Sequence, residues 1–381
     1  MTPFALYVHV PWCRHVCPYC DFNVHAAARV PGAEFAAAVA RELAAHASAP
    51  PWAGRPVATL YLGGGTPSLL APDAVASIVD AARRTGLVAD AEVTLEANPG
   101  TVSDASLRGY RAAGVTRLSL GAQSFDARLL RTLGRDHAAA DTPAAVAAAR
   151  AAGFVNVSLD LIYAVPGETV ADCEADLDAL LALAPPHVSA YALTWEPGTP
   201  FAAWRARGRL RAVSEDDEVE MAARIAVRLD GAGLARYEIS SFARPGFESR
   251  HNTRYWDGSD YLGLGPGAHS FSAEPFPGRR SANERDPARW AAAVTARGTA
   301  IAAVGVLTEA QARGEFCFAG LRRIAGVDAD AFRRRFGVAL ATAFPAVERL
   351  VADGLVEPAG HCLRLTPRGL LFADAVAATF V

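Results

Sequence analysis

Short apolar runs recur along the first half of the chain, and between them apolar positions repeat at helical spacing. The runs are Ala5–Val10, Ala58–Leu62, Glu92–Ala97, Arg117–Gln123, Val155–Tyr163 and Val188–Trp195. The helical stretches are Ala33–Ala47, Pro72–Arg84, Ser103–Ala113, Pro143–Ala152 and Thr169–Leu183. Each run is apolar on both faces and closes in a polar or glycine-rich segment, which predicts a parallel sheet covered by helices. Six successive βα units joined by right-handed crossovers predict an open or partial barrel rather than a closed eight-fold one. Chemistry in such folds gathers at the C-terminal ends of the strands.

Beyond the sixth unit the pattern changes. A further helix is expected over Glu215–Gly231 and a strand over Tyr237–Phe242, while residues 244–287, rich in Gly, Pro, Arg and aromatics, read as irregular connections. From about Leu307 the pattern is helices closed by a hairpin: a helix ends at Gly354, Leu363–Thr366 reads as a wing strand, and Arg368–Thr379 as a final helix. The expected organisation is an α/β partial barrel over 1–235, a connecting region over 236–305 and a winged-helix-like α+β module over 306–381. That module carries nine Arg against eight Asp or Glu, so docking or structural work suits it better than DNA binding.

Composition narrows the chemistry. Half of the 381 residues (51%) are hydrophobic and 20% are charged, which permits a large core and excludes a disordered chain. A net charge of −3 gives no footprint for nucleic acid or anionic membrane. All 37 basic residues are arginine. Without lysine there is no Schiff-base chemistry and no phosphate-binding G-x-x-x-x-G-K-[ST] loop. No apolar run is long enough to span a bilayer, and Met1–His9 lacks the pattern of a signal peptide. A cytoplasmic protein is expected.

Three of the six cysteines crowd together in Val10-Pro-Trp-Cys13-Arg-His-Val-Cys17-Pro-Tyr-Cys20, directly after the first strand; Cys173, Cys317 and Cys362 are scattered. The C-x-x-x-C-x-x-C spacing suits a loop wrapped around a cubic iron–sulfur cluster, with thiolates on three of four irons and the fourth open to an exogenous ligand. Zinc is one alternative, with His9, His15 or His25 as a fourth ligand. A disulfide plus a spare thiol is another, less suited to a reducing compartment.

The loop, with Tyr7-Val-His-Val-Pro-Trp before it and Asp-Phe-Asn after Cys20, resembles the radical S-adenosylmethionine (AdoMet) superfamily. It is similar to the oxygen-independent coproporphyrinogen oxidases and their relatives, most closely the HemW heme chaperones, nearly end to end. The resemblance implies a radical SAM barrel in which Cys13, Cys17 and Cys20 hold a [4Fe–4S] cluster whose open iron chelates AdoMet. Leu62-Gly63-Gly64-Gly65-Thr66-Pro67 resembles the loop that binds the AdoMet amino group; its glycines expose backbone N–H and C=O groups. Glu96 in Leu95-Glu-Ala-Asn-Pro matches a ribose-binding carboxylate, although a helix cap or a surface acid fits the spacing too. Tyr7, Tyr19, Gly64, Gly65, Thr66, Gln123, Arg135 and Asp160 match further positions that touch AdoMet, Tyr19 being placed to pack on adenine. Asp160 inside an apolar strand needs a partner, and Arg135 is the natural candidate.

Two features favour the chaperone branch over the oxidases. The oxidases continue their loop as C-x-x-x-C-x-x-C-x-C, whereas Phe22 stands two residues after Cys20 here; and 12 residues before Cys13 are too few for the oxidases' N-terminal extension. His251-Asn-Thr-Arg-Tyr255-Trp256 matches the H-N-x-x-Y-W signature of the HemW relatives. An imidazole can ligate heme iron and aromatics can pack on a porphyrin. A loop in which His251 only hydrogen-bonds and Trp256 fills core is the plain alternative. His269, after Leu262-Gly-Leu-Gly-Pro-Gly-Ala, is a secondary candidate ligand. The resemblance thus implies heme as cargo and acceptor hemoproteins as partners. Radical oxidation of a tetrapyrrole is the competing class, and a homodimer stays open as the assembly.

Overall fold

The apolar runs become strands because both their faces find cover. The computed structural model describes residues 2–381. Its parallel strands are β1 (Phe4–Val10), β2 (Val57–Gly64), β3 (Leu87–Ala97), β4 (Arg117–Gln123), β5 (Asn156–Tyr163) and β6 (His187–Ala192), paired in that order. Helices α1 (Gly32–Ala47), α2 (Pro72–Thr85), α3 (Asp104–Ala113), α4 (Asp141–Ala151) and α5 (Val170–Ala182) alternate with them. Phe4, Leu6, Leu60, Leu62, Leu95, Leu118 and Leu159 are fully buried in one continuous core. Helix ends follow local chemistry. Ser103 and Thr169 form capping boxes at α3 and α5, and left-handed Gly86 and Gly114 end α2 and α3. The six-unit α/β partial barrel expected from periodicity is the fold observed.

The sheet does not stop at six strands. After helix α6 (Glu215–Gly231), the two-residue β7 (Ala235–Arg236) pairs antiparallel with β8 (Ser241–Ala243), which adds antiparallel to β6. Residues 244–287 are not irregular: they hold α7 (Arg250–Trp256), β9 (Tyr261–Leu264), β10 (His269–Ser272) and β11 (Arg279–Asn283). Strand β9 pairs parallel to β1, Tyr7 opposite Gly263, and β10, β11 and β12 (Ile301–Val306) continue antiparallel from it. The twelve strands run β12-β11-β10-β9-β1-β2-β3-β4-β5-β6-β8-β7. These late strands are short and carry Gly or Arg where a core strand would carry Val or Leu. Their order comes from long-range pairing that alternation cannot signal.

A buried carboxylate locks this extension to the barrel. Glu42 of α1, fully buried, accepts N–H groups from Gly265 (2.9 Å), Asn283 (2.8 Å) and Trp290 (3.1 Å). Three donors offset part of the desolvation of the charge, which still pushes its pKa up to about 7.

The C-terminal module has its own core, built on Phe332, Phe336, Leu350, Leu363 and Phe380. Its small sheet pairs Cys362–Leu365 with both Val356–Ala359 and Val327–Asp328, as a wing would. The expected final helix is broken at Phe372 (φ −119°, ψ 24°) into Pro367–Leu371 and Ala373–Ala377. The module is stitched to the barrel through Ile239 N–H to Arg322 O (3.0 Å) and Ile324 N–H to Tyr237 O (3.1 Å).

Candidate functional site

At the C-terminal ends of the parallel strands lies a cavity of about 420 Å3. The cysteine loop forms one wall. It is shaped by backbone bonds from His25 to Pro11 O (2.7 Å), Ala27 to Cys13 O (2.9 Å) and Cys20 to Cys17 O (3.1 Å). Its far side docks where Phe201 N–H meets Pro18 O (3.0 Å) and the Tyr19 ring lies 6.1 Å from the Phe201 ring. Cys13, Cys17 and Cys20 are unbridged, partly exposed, and all three line the cavity. Thr66 donates to Cys13 Sγ (3.4 Å), and Arg135 Nη1 lies 3.8 Å from Cys17 Sγ. Burial raises the Cys13 thiol and pushes Cys20 up to about 11. Among the described residues no three His, Cys, Asp or Glu side chains converge as a single metal ion would require. A cubane, which spreads its thiolates over three irons, asks for no such point. Cys173 and Cys317 lie buried elsewhere, each pushed up to about 12, as inert structural thiols are.

The glycine loop fits against the cysteine loop at close range. Gly64 has φ +105°, and a Cβ there would lie 2.5 Å from the His9 ring; one at Gly65 would lie 2.6 Å from Trp12 O. The N–H groups of Gly64, Gly65 and Thr66 are already given to Glu96 (3.1 Å), Val10 O (2.8 Å) and Trp12 O (2.8 Å). What this loop has left for a ligand is acceptors, which suits an ammonium group and corrects the expectation of open N–H groups.

Glu96 lines the cavity and takes Tyr61 Oη on Oε1 (2.7 Å) and Gly64 N on Oε2 (3.1 Å). Burial outweighs both bonds and pushes its pKa up to about 7. Gln123 ends β4 at φ +64°, a strained conformation for a residue with a Cβ, and its side chain faces the same space. Asp160 is held by Ser119 (3.1 Å) and Ser158 (3.3 Å). The expected Arg135–Asp160 pair does not form: Arg135 donates to Gly121 O (3.1 Å) and faces Cys17. The positive charge near Asp160 belongs to Arg117. Tyr7 is not part of the cavity wall; its hydroxyl donates to His9 Nδ1 (3.0 Å). The remaining expected residues, Tyr19, Gly64, Gly65, Thr66, Glu96, Gln123, Arg135 and Asp160, are brought together.

Sequence reasoning missed Tyr61, Arg117, Ser119, Ser189, Tyr191 and Asn252, all of which line the cavity. Arg117 is 1% exposed, and its Nε and Nη1 have no hydrogen-bond partner. Like Asp160, it is a charge inside an apolar strand and stands out in the sequence for the same reason.

The H-N-x-x-Y-W segment lies elsewhere, as helix α7 under the barrel floor. Glu92 caps it by accepting the N–H groups of Arg250 (3.1 Å) and His251 (2.9 Å). His251 is 0% exposed; its Nδ1 bonds Thr59 Oγ1 (2.9 Å) and its Nε2 bonds Tyr255 Oη (2.9 Å). Burial drops its pKa to about 3. Both ring nitrogens are engaged and no edge is exposed, so in this arrangement His251 offers no free nitrogen to an iron. Tyr255 and Trp256 line a separate cavity, and only Asn252 of this helix reaches the first. His269 is exposed at the start of β10.

Residues 7–180 match the Radical SAM superfamily and residues 307–372 the HemN C-terminal domain. The chain is 39% identical over 397 aligned positions to the heme chaperone HemW of Mycobacterium tuberculosis, covering 100% of this chain and 95% of that one. It is 33% identical to that of Bacillus subtilis, with 99% of each covered. The chain belongs to the heme chaperone HemW family. Among solved structures, the coproporphyrinogen III oxidase HemN of Escherichia coli superposes with a TM-score of 0.84 at 24% identity, over 99% of this chain and 90% of that one. At that identity the likeness establishes the fold. As radical SAM proteins, HemW-family chains use a [4Fe–4S] cluster and AdoMet. Three thiols, a carbonyl-rich glycine loop and a buried carboxylate facing one cavity fit that pair of groups.

Proposed function

We propose that the protein binds heme and hands it to acceptor hemoproteins in the cytoplasm, with Cys13, Cys17 and Cys20 holding the cluster and the strand ends holding AdoMet. The observation that carries this is the convergence of the three thiols and eight of the nine expected AdoMet residues on one cavity, in a chain aligned end to end with HemW relatives. When bound, the cluster and AdoMet supply one-electron chemistry at a sulfonium. This chain's own residues do the holding. Glu96 offers a carboxylate to a ribose diol, the glycine loop offers carbonyls to an ammonium, and Arg135, beside Cys17, offers a cation to a carboxylate. Phe22, 63% exposed, leaves no thiol at the position where the oxidases carry their fourth. No helix among the described residues is long and apolar enough to cross a membrane.

The test reconstitutes the protein anaerobically and offers it hemin, an apo-hemoprotein and, separately, coproporphyrinogen III. Heme binding and transfer without decarboxylation is the expected result. Turnover of coproporphyrinogen III would replace this reading with the oxidase one.

A further inference from the structure

A second cavity, of about 240 Å3, opens between floor helix α7 and the C-terminal module. Trp256 and Tyr255 line it from the floor, and Phe316 and Phe318 line it from helix Glu309–Gly320. Two arginines face it. Arg280 is satisfied, bonding Glu315 at 2.6 Å and Tyr261 Oη at 3.0 Å. Arg335 is not. Its guanidinium lies 5.8 Å from the Phe316 ring and 5.3 Å from the Phe336 ring, and it makes no hydrogen bond or ion pair among the described residues. Of the three carboxylates nearest to it, Asp260 pairs with Arg55 (2.6 Å) and Glu315 with Arg280, while Glu274 stands close by without forming an ion pair to Arg335. Trp256 Nε1 is buried without a partner, and the Arg322 guanidinium lies 4.6 Å over the Trp256 ring. At the mouth Phe318 is 38% exposed, and Phe276, 48% exposed, lies against Phe336 and extends the apolar rim.

Stacking rings and an unpaired cation select a flat aromatic molecule that carries a carboxylate. The volume is below that of pockets that enclose drug-sized ligands, so only one edge of a larger ring system fits. We propose that this interface cavity seats the carboxylate-bearing edge of a planar tetrapyrrole, with Arg335 receiving the carboxylate and Trp256, Phe316 and Phe318 packing on the ring. This rests on the heme-carrying reading and places the cargo at the opposite end of the barrel from the cysteine loop. Helix α7 joins the two ends, since Asn252 lines one cavity and Tyr255 and Trp256 the other. Leaving most of the ring outside the protein suits a cargo that must pass to another molecule.

The experiment titrates hemin, protoporphyrin IX and protoporphyrin IX dimethyl ester onto the reconstituted full-length protein, following porphyrin absorbance and tryptophan quenching. Arg335→Gln should weaken hemin and protoporphyrin IX by roughly ten- to a hundredfold and leave the ester unchanged. Ala319→Trp, which fills the cavity from its helix, should block all three while sparing the cluster spectrum. Unchanged hemin and protoporphyrin IX affinity in Arg335→Gln overturns this site and leaves the heme reading standing. Failure of the unaltered protein to bind any tetrapyrrole overturns the heme reading itself.

Discussion

The two ends of the barrel treat buried polar groups in opposite ways. At the floor the histidines and the capping carboxylate are saturated: His251 bonds Thr59 and Tyr255, His187 bonds Ser158 (2.7 Å) and Tyr237 (2.9 Å), and Glu92 caps a helix. At the mouth the groups are left wanting. Gln123 is strained and Arg135 keeps a buried nitrogen without a partner. Saturation gives stability and forfeits reactivity, while unspent bonding capacity is what a ligand can use. The H-N-x-x-Y-W histidine lies on the saturated side, so its presence in a motif is explained first by the fold.

The sharpest test of that contrast is at the mouth. Cys13→Ala, Cys17→Ala or Cys20→Ala should each reduce iron from about four per chain to near zero on anaerobic reconstitution, whereas Cys173→Ala should keep it. At the floor, His251→Ala should cost about 2–4 kcal/mol in urea unfolding, since it empties a buried site and strands Thr59 and Tyr255. The cluster spectrum should be unaffected. A fully stable His251→Ala would show that the bonds of His251 do not hold the floor together. Next, Glu96→Ala should weaken AdoMet binding by about 1–3 kcal/mol in calorimetry, with little loss of fold stability.

The ends should also titrate in opposite directions. Burial raises Glu96 to about 7, so its contribution to stability is present at low pH and is lost as pH rises through 7. Burial lowers His251 to about 3, so its contribution is present above the ordinary histidine range and is lost as pH falls below it. Glu96→Gln should flatten the decline in urea midpoint between pH 5 and pH 8, although Glu42 and Glu168, both near 7, keep part of it. The smallest effect is at Gln123. Gln123→Gly relieves a positive φ and should stabilise the fold by about 0.5–1 kcal/mol while weakening AdoMet binding.

The repeating half of the molecule was legible because burial on both strand faces writes itself into local sequence, as at Ala58–Leu62. The cluster loop was legible because its ligands are neighbours in the chain. What escaped depends on distance. Strand β9 exists because β1 has a free edge, 256 residues before Tyr261 at their pairing of Ala5 with Tyr261. The partner of Asp160 was misjudged because the sequence does not show that Arg117, on the neighbouring strand, faces it while Arg135, on a loop, turns to Cys17. The burial of His251 was not legible because a motif names residues without saying which way a helix turns them. Arg117 and Tyr61 were within reach, since both stand on strand positions that alternate toward the interior.

Strand β1 lies between β2 and β9, hydrogen-bonded to residues 57–64 on one side and 261–264 on the other. During synthesis this strand emerges early and its inner neighbour soon follows, but its outer edge stays bare until residue 264 has been made. For that interval the nascent chain carries a flat, apolar strand edge beside the cysteine loop, the kind of surface on which chains aggregate. A product terminated near residue 235 would retain that exposed edge permanently and would also lack the Gly265, Asn283 and Trp290 latch on Glu42. The repeating half alone is therefore not a unit that can be expressed by itself, even though it holds every thiol of the loop.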